Sequence, residues 1–599
     1  MQTANQILQA MQKLGEKRIP LTRVYRNLFC EELYLLAYGR LYRNEGALTP
    51  GSTDDTVDGM SLERIRTTIE QLRSERFQFR PSRRTNIPKK NGGQRPLGMP
   101  DFTDKLVQEV LRMLLEAYYE PRFRSSSHGF RHQHGCHTAI TSIKEEFIGT
   151  NWFIEGDIRG CFDNIDHEVL LAVLANDIHD GRMLNLIRLG LKAGVMDGWR
   201  YEATYSGTPQ GGVLSPLLSN IYLHQLDVFI EDTLTPQYTR GKRRAENPAY
   251  KQLTNQIYYR RKCGQDVTEL LKQRRQLPSQ MTDDPTYRRL RYVRYADDFI
   301  LGFAGPYAEA IDIKKSIGDF LHSTLKLELN TTKTLITHAR TQHAKFLGYA
   351  ISIYQVDDKI SLSGTSKRRS INGHIRLGIP YGLVDKHIRR YERDGKIIGE
   401  GALISYSDAH IIDTFQARFR GLAEYYKYAV DRSHLNKLKH VMEISLIKTL
   451  AGKFRTNAAT IYRKYCGSQT VQGQTYKTLQ VAVPTKSGTR LIYWGAIPLR
   501  VMPTGQETLN DLIGYNRKYA RADLIQRLQA NECELCGSTK DIEVHHVRKL
   551  ANLQTRWSGR HVKPDWVVRM IGLRRKTLVV CRKCHVDIHA GRPTPTLRK

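Results

Sequence analysis

The sequence predicts a multidomain protein of mixed α+β class. The chain has 599 residues, a length that supports three or four domains with their own hydrophobic cores. Apolar strand patterns at 152–157 and 291–303 indicate a β-sheet in the first two thirds of the chain. From residue 376 onward apolar residues recur at helical spacing. Near the C-terminus, two Cys-x-x-C pairs are typical of a small module held by a metal ion.

The charge balance of the chain indicates a polyanionic partner. Lys and Arg total 93 against 60 Asp and Glu, which gives a formal net charge of +33. Charged residues make up 26% of the chain, an ordinary fraction, so the unusual feature is the sign of the charge. Nucleic acid is the expected partner, and its affinity should fall steeply with salt.

Membrane and secretory classes are disfavoured by the same sequence. No apolar run reaches the length of a membrane-spanning helix, and residues 1–20 lack the apolar core of a signal peptide. Five of the nine cysteines are scattered, as in proteins of a reducing compartment. We therefore expect a cytoplasmic protein of the bacterial, nucleoid-associated kind, with no membrane partner.

Three carboxylates are the strongest signal of chemistry in the sequence. The stretch 291–303 is predicted to form a hairpin with Asp297 and Asp298 at its tight turn. Asp157 ends an earlier strand pattern, and pairing of the two strands would place all three carboxylates together. Crowded carboxylates need cations, and two Mg²⁺ ions roughly 4 Å apart would suit phosphoryl transfer. Alone, the acidic pair would more often be a solvated turn, with Asp157 an unrelated surface residue.

The tetrad Tyr295-Ala296-Asp297-Asp298, with Asp157 upstream, closely resembles the palm of a reverse transcriptase. Ala at the second place resembles the version found in group II intron proteins. The resemblance covers seven blocks in order over roughly residues 20–375, and it implies an RNA-directed DNA polymerase. It also implies Mg²⁺ ligands at Asp157, Ile158, Asp297 and Asp298, with the three aspartates as catalytic residues.

The same resemblance implies a nucleotide-binding set. Its members are Arg83, Lys89, Arg95, Phe162, Gln210 and Lys333. Lys89 and Arg95 flank the turn of a predicted β-hairpin and could bind a triphosphate together, although most basic hairpins are simply solvated. Phe162 would pack on the sugar and favour dNTPs, the alternative being a core phenylalanine. Gln210 lies in a Pro-Gln-Gly motif, and Lys333 would lie near the leaving pyrophosphate.

The domain organisation follows from these blocks and from composition. Residues 230–290 form a basic insertion, which is predicted to be helical around 267–277 and otherwise mobile. We expect this insertion to contact RNA rather than to be only a solvated loop. The predicted domains are a reverse transcriptase fingers and palm at 1–375, a helical thumb or maturase domain at 376–495, a DNA-binding segment at 496–530 and a zinc-stabilised ββα module at 531–599.

The C-terminal module combines two metal-ligand patterns. Cys533, Cys536, Cys581 and Cys584 have the spacing of a structural Zn²⁺ site. His545, His585 and His589 could hold a second divalent ion, expected to be Mg²⁺, which would leave His546 to deprotonate water. This arrangement resembles an HNH endonuclease. Thr577 stands where the family has Asn, so a zinc module that binds DNA without cutting it is the alternative.

Taken together, the blocks resemble a group II intron-encoded protein with reverse transcriptase, maturase and HNH endonuclease parts. The resemblance implies three partners: the intron RNA, a target DNA that is nicked to prime synthesis, and dNTPs. Two rivals remain, an RNA-binding maturase without nuclease activity and a host-derived polymerase serving another pathway. The intact aspartate set disfavours a maturase with a relic polymerase site, and the nuclease-like tail disfavours the host polymerase. Homodimer formation is left open.

Overall fold

The protein is multidomain and α+β in the computed structural model. The structure describes residues 2–88, 92–198, 200–204, 206–207, 211–281, 284–356, 361–363, 366–368, 371–485, 488–503, 523–556 and 563–595. Within these ranges, no helix is both long and apolar enough to span a bilayer.

The N-terminal region is a group of helices followed by a β-hairpin. Its elements are α1 Ala4–Glu16, α2 Glu31–Leu41, α3 Leu62–Arg73, β1 Ser82–Pro88, β2 Gln94–Met99, α4 Phe102–Tyr119, β3 Ser127–His128 and α5 Cys136–Glu146. The antiparallel pairing of β1 with β2 confirms the predicted hairpin, with Ile87 opposite Arg95. Its turn includes residues 89–91, which lie outside the described residues. The aromatic residues of α2, Tyr34 and Tyr38, are buried in the core.

The middle of the chain supplies the central sheet and the helices that cover it. Its elements are β4 Trp152–Asp157, α6 Cys161–Asn164, α7 His167–Ala175, α8 Gly181–Leu191, β5 Val195–Asp197, β6 Arg200–Glu202, α9 Ser215–Val228, a π-helical turn Phe229–Leu234, α10 Thr235–Gln237, α11 Pro248–Lys262, α12 Thr268–Gln276, β7 Arg289–Tyr295, β8 Asp298–Ala304, α13 Tyr307–Leu325 and β9 Leu335–His338. Strands β3, β7, β8, β4 and β9 form one sheet in that order, and β2, β1, β5 and β6 form a second.

The central sheet confirms the predicted strand pairing. Strands β7 and β8 form the hairpin, and β4 runs antiparallel to β8 with Asp157 directly opposite Asp298. Gly156 allows this pairing because a Cβ atom there would lie 2.1 Å from the Phe299 ring. Strand β8 is buried on both faces after its first residue, as its nearly continuous apolar sequence predicted.

The basic insertion is more ordered in structure than the sequence indicated. Helix α12 confirms the predicted helix, but the rest is not a mobile loop, because it contains the longer helix α11. That helix begins at Pro248, a residue suited to a first helical turn, and Asn247 caps it through the Ala249 N–H. Its polar composition lacks the apolar stripe that sequence analysis relies on.

The region after the central sheet is mixed rather than purely helical. Its elements are β10 Ala344–Phe346, β11 Tyr349–Ile353, β12 Ser361–Ser363, β13 Ser366–Arg368, β14 Ile375–Gly378, α14 Leu383–Ile388, β15 Glu392–Arg393, β16 Lys396–Ile397, α15 Asp408–Tyr425, α16 Leu435–Phe454, α17 Ala458–Tyr465, β17 Cys466–Val471, β18 Gln474–Thr485 and β19 Gly488–Gly495. The helical expectation for 376–495 is therefore wrong at its end, where β17, β18 and β19 form an antiparallel sheet against α15.

The C-terminal module is small and packs against the N-terminal helices. Its elements are α18 Asp523–Gln529, β20 Ile542–His546, α19 Leu550–Arg556, α20 Asp565–Gly572, β21 Thr577–Cys581 and α21 Arg582–Ala590. Strands β20 and β21 are antiparallel, and α21 packs on both, which gives the predicted ββα arrangement. Leu524 and Leu528 of α18 belong to the same continuous apolar core as the residues of α2.

A buried ion pair lies beneath the β7–β8 turn. The side chains of Arg294 and Asp227 are both 0% exposed, and Arg294 Nη2 lies 2.6 Å from Asp227 Oδ2. Burial raises the pKa of Asp227, but the adjacent guanidinium more than offsets this and holds that pKa below its usual range. The turn residue Ala296 has a φ of +55°, a left-handed conformation that is strained for alanine. Arg294 Nη1 stabilises the turn by donating to the Ala296 carbonyl at 2.8 Å.

Replacing Asp227 with Ala should destabilise the protein strongly, by about 3–5 kcal/mol, because Arg294 would be left buried without its counter-charge. The matched control is Glu168→Ala, which removes the exposed ion pair with Lys192 and should change stability little. The measurement is urea-induced unfolding followed by tryptophan fluorescence. Equal effects of the two substitutions would contradict a structural role for the buried pair.

Candidate functional site

The first candidate site is the carboxylate cluster at the end of the central sheet. Strand β4 ends at Asp157, β8 begins at Asp298, and Asp297 lies in the turn between β7 and β8. Asn330 Nδ2 donates to Asp157 Oδ2 at 2.9 Å, and Lys333 Nζ lies 3.1 Å from both carboxylate oxygens of Asp157. The residues that the sequence nominated for metal binding therefore lie together on adjacent strands.

The electrostatics of this cluster favour a cation. Burial, together with the charges of Asp297 and Asp157, raises the pKa of Asp298 to about 6. Burial and the charge of Asp157 also raise the pKa of Asp297. Three carboxylates that share this space fit divalent ions with oxygen ligands. The side chain of Ile158 is apolar and buried, so only its backbone carbonyl could serve as a ligand.

The two arginines of the predicted triphosphate site lie on the neighbouring β-hairpin. Arg83 faces Met99 across the pair β1–β2, and its Nε is buried without a hydrogen-bond partner among the described residues. The charge of Arg95 acts to lower the pKa of Asp297, so this guanidinium lies near the cluster. Lys89 lies outside the described residues.

The predicted Pro-Gln-Gly motif is described only at its glycine, because Gln210 lies outside the described residues. Gly211 has a φ of +110°, and a Cβ atom there would lie 2.6 Å from the Gly98 carbonyl oxygen of β2. This close approach requires glycine and brings the loop against the hairpin that carries Arg95.

Phe162 lies at the surface of the central region rather than in its core. It is half-buried on α6, and its ring meets the ring of Phe130 edge-on with centroids 6.2 Å apart. More than half of Phe130 is exposed. This placement favours the interpretation that Phe162 contacts the sugar of the nucleotide over the interpretation that it is a core residue.

The second candidate site is the cluster of four cysteines. The four Sγ atoms lie within 4.8 Å of one another, and Cys533, Cys581 and Cys584 are buried. Cys536 Sγ and Cys581 Sγ are 3.6 Å apart, and the Cys536 N–H points at Cys533 Sγ across 3.4 Å. Converging thiols with an N–H donor to sulfur fit a structural tetrahedral ion, for which Zn²⁺ is the typical choice.

The third candidate site is a cluster of three histidines that also contains a residue the sequence analysis missed. Ligand atoms of His545, His585, His589 and Asp58 lie within 4.8 Å of one another. Glu543 accepts from His585 Nδ1 at 2.8 Å and so orients that ring. Asp58 comes from the loop before α3, and no motif or periodicity in that loop points to the C-terminal module.

His546 is next to His545 on β20, and its Nδ1 lies 3.9 Å from Asp58 Oδ1, the carboxylate oxygen that also faces His545 and His585. Its residue partner across β20–β21 is Thr577, and its Nε2 lies 3.1 Å from the Tyr38 hydroxyl oxygen of α2. Burial lowers the pKa of His546 to about 4, so the ring is neutral near pH 7. Arg527 donates to the Thr577 hydroxyl at 3.0 Å, a contact that the sequence did not suggest.

A carboxylate cluster on a mixed sheet, joined to a ββα module with two candidate metal sites, is the arrangement expected of a polymerase coupled to a nuclease-like module. Three family profiles match this division: "Reverse transcriptase (RNA-dependent DNA polymerase)" at residues 87–351, "Type II intron maturase" at 382–492 and "AI2M/AI1M-like, HNH endonuclease" at 533–585.

Several proteins are similar to this one along nearly the whole chain. The group II intron-encoded protein LtrA of Lactococcus lactis subsp. cremoris is 40% identical, with 97% of this chain and 98% of that protein covered. An uncharacterized 91 kDa protein in the cob intron of Schizosaccharomyces pombe is 32% identical, over 96% of this chain and 71% of that protein. A putative COX1/OXI3 intron 1 protein of Saccharomyces cerevisiae is 32% identical, over 94% of this chain and 68% of that protein. The chain belongs to the group II intron-encoded proteins, which confirms the resemblance found in the sequence.

Asp297→Ala should remove a metal ligand and lower dNTP incorporation on an RNA template roughly 10²–10³-fold or more, since stabilisation of developing charge is the largest single contribution to such catalysis. RNA affinity should stay unchanged. The control is Asp319→Ala, which removes an exposed carboxylate from α13 of the same region. Primer extension checks both variants, and normal extension by Asp297→Ala would overturn the three-carboxylate assignment.

Cys536→Ser should release zinc and unfold the C-terminal module, because the binding energy of a structural site is folding energy, roughly 10–16 kcal/mol in zinc-finger peptides. Cys263→Ser, an exposed cysteine of the basic insertion, is the control and should do neither. Zinc content by elemental mass spectrometry and limited proteolysis give the readout. A variant that keeps its zinc and resists protease would show that the cysteines hold no structural metal.

Proposed function

We propose that the three parts of this protein act in one reaction, in which the module nicks a target DNA and the polymerase extends the new 3′ end on intron RNA. The family assignment gives the parts, and the single observation that carries the proposal is the convergence of Asp157, Asp297 and Asp298 at adjacent strand ends. The proposed domains are 1–375 for fingers and palm, 376–495 for thumb and maturase, 496–530 for DNA binding and 531–599 for the nuclease. Residues 504–522 of the third lie outside the described residues.

The polymerase step is assigned to residues around the carboxylate cluster. When bound, two Mg²⁺ ions would activate the primer 3′-hydroxyl and neutralise charge on the triphosphate. Asp157, Asp297 and Asp298 hold these ions, while the guanidinium groups of Arg83 and Arg95 bind the phosphates of the incoming dNTP. The buried Nε of Arg83, which has no hydrogen-bond partner among the described residues, supports this role, since such a donor requires an acceptor.

The remaining nucleotide contacts are assigned by family pattern and position. Phe162 packs on the sugar and excludes a 2′-hydroxyl, and its half-buried ring supports this. Lys333 approaches the leaving pyrophosphate once the nucleotide is bound, and its contact with Asp157 places it within reach of the cluster. Lys89 and Gln210 complete the set.

Intron RNA is the polyanion that the positive charge of the chain matches, and the basic insertion is one proposed contact surface. The end of α11 carries Arg260, Arg261 and Lys262, all exposed, next to Tyr258 and Tyr259, which are 63% and 66% exposed. Arg244 ties the insertion to the central region by donating to the Gly149 carbonyl and to Asn151. Exposed rings beside cations on an anchored helix suit single-stranded RNA, where bases stack and phosphates pair.

Deleting residues 247–279 should weaken RNA binding and flatten its dependence on log salt, because each lost phosphate contact removes about 0.7–0.9 from the slope. A short glycine linker can close the gap, since Glu246 and Gln280 form an antiparallel bridge.

The comparison variant is Tyr258→Ala with Tyr259→Ala, which should weaken binding with no change of slope, because stacking releases no counterions. Filter binding at several salt concentrations provides the slopes. An unchanged slope after the deletion would show that the insertion does not touch RNA.

The thumb and maturase region offers a second basic surface. Helices α15, α16 and α17 bury apolar residues in one core. Exposed cations of these helices and of the residue after α16 are Arg420, Arg455, Arg463 and Lys464. Arg418 does not belong to this surface, because it forms an ion pair with Glu400 at 2.6 Å. The exposed cations are proposed to grip the RNA and the RNA–DNA duplex made on it.

The C-terminal module is proposed to be the nuclease that supplies the primer. The three imidazoles favour a transition ion such as Zn²⁺, Co²⁺ or Mn²⁺ over the Mg²⁺ that the sequence analysis expected there. When bound, this ion would neutralise charge on the scissile phosphate. His546 accepts the proton from the attacking water, which its neutral ring allows. The presence of Thr577 opposite His546 favours the second candidate, a zinc module that binds DNA without cutting it.

His546→Ala should abolish nicking of target duplex while zinc content and fold are kept. Because the polymerase site lies in another part of the chain, the variant should still extend a supplied DNA primer on RNA. His440→Ala, an exposed histidine of α16, serves as control. Nicking and primer extension are assayed side by side with Mg²⁺, Mn²⁺, Zn²⁺ or Co²⁺, and normal nicking by His546→Ala would remove the nuclease assignment.

A further inference from the structure

The loop before α3 is joined to the nuclease module by backbone hydrogen bonds. The Gly59 N–H donates to the Val544 carbonyl at 3.0 Å, and the Val544 N–H donates to the Met60 carbonyl at 2.9 Å. Met60 thereby forms an antiparallel bridge with β20, the strand that carries His545 and His546. The His546 N–H also donates to Asp58 Oδ1 at 2.7 Å. This pairing holds Asp58 in a defined position on the module.

The carboxylate of Asp58 points into the histidine cluster. His589 Nε2 lies 2.8 Å from Oδ2, while His585 Nε2 and His545 Nδ1 lie 3.3 Å and 3.6 Å from Oδ1. The ligand atoms of the four residues lie within 4.8 Å of one another. Donor atoms around a tetrahedral ion with bonds of about 2.0–2.2 Å are separated by roughly 3.3–3.6 Å, so small side-chain shifts would let the four residues share one ion.

His545 shows independently that the cluster suits a ligand. The side chain is 4% exposed, and neither ring nitrogen has a hydrogen-bond partner in the part of the chain that the structure describes. A buried imidazole without a partner is costly, and coordination of a metal ion would satisfy it. The orientation of His585 by Glu543 is the outer contact that metal-binding histidines typically have.

We propose that Asp58, supplied by the reverse transcriptase part of the chain, is the fourth ligand of the nuclease metal ion and takes the position that a DNA phosphate needs. The proposal rests on the proposed nuclease function. Catalytic sites of this kind keep one position open for water or substrate, whereas four protein ligands make a closed site. While the module is docked on the N-terminal helices, the nuclease is therefore latent.

The surroundings of His546 support the same conclusion through different residues. The side chain is 7% exposed, its Nε2 is 3.1 Å from the Tyr38 hydroxyl, and the Tyr42 ring lies beside it with centroids 6.4 Å apart. The N-terminal part of the chain thus covers both His546, the proposed proton acceptor, and the coordination position that the DNA phosphate needs. Cutting should therefore become faster when the contacts of Asp58 and of helix α2 with the module are weakened.

The test compares Asp58→Asn with Asp54→Asn in the full-length protein loaded with Zn²⁺ at the cysteine site. Asn keeps an acceptor for the His546 N–H but loses the anionic ligand, while Asp54 is an exposed residue of the same loop. Co²⁺ is titrated and followed by its visible absorption, which is intense in tetrahedral sites. Asp58→Asn should raise the Co²⁺ dissociation constant at least tenfold, and Asp54→Asn should leave it unchanged.

At saturating Co²⁺ or Mn²⁺, Asp58→Asn should nick duplex DNA at least tenfold faster than the wild type, with primer extension unchanged in both. Unchanged Co²⁺ affinity would overturn Asp58 as a ligand, even if the wild type nicks. Slower nicking at saturating metal would overturn the closed site and make Asp58 a residue that cutting needs. If no form nicks any duplex, the nuclease proposal fails, and the Co²⁺ titration alone decides whether Asp58 is a ligand.

Discussion

Arg294 lies directly under the turn that carries Asp297 and Asp298, and all five of its N–H groups donate to buried acceptors. Two go to Asp227, and the others go to Asn220, Ser127 and the Ala296 carbonyl. A fully buried guanidinium is tolerated only when every donor is satisfied and its charge is balanced. The network joins β3, β7 and α9 and holds the strained turn in place, so the position of the two aspartates depends on it.

The same constraint explains why the carboxylate cluster of the polymerase site favours cations. With the turn fixed and β4 registered on β8, Asp157 cannot move away from Asp297 and Asp298, and their mutual repulsion and burial persist. The C-terminal module is built in the opposite way, since a remote loop supplies Asp58 to its histidine cluster. One site is held by a rigid sheet, and in our proposal the other is closed by docking between two parts of the chain, which suits a nuclease that acts only on a bound target.

The sequence predicted the structural features that depend on short-range patterns. The hairpin at 291–303 and the cysteine pairs were found because alternation and ligand spacing are short-range signals. Helix α11 was missed because its polar sequence has no apolar stripe, and the sheet β17–β19 was missed because helical periodicity was extended past α17. The contact of the buried Tyr38 with His546 could not be foreseen, because it joins residues that are distant in the sequence. Asp58 left no signal, because its role comes from a tertiary contact between distant segments.

The central claim is that nicking and RNA-templated synthesis form one coupled reaction. The most direct measurement incubates the purified ribonucleoprotein with target duplex, dNTPs and divalent metal ions, and then sequences the junctions of the new DNA. The account predicts strands that are covalently continuous with the nicked 3′ end of the target and complementary to the bound RNA from their first nucleotide. New DNA that is never joined to the target, or that copies the target rather than the RNA, would contradict it.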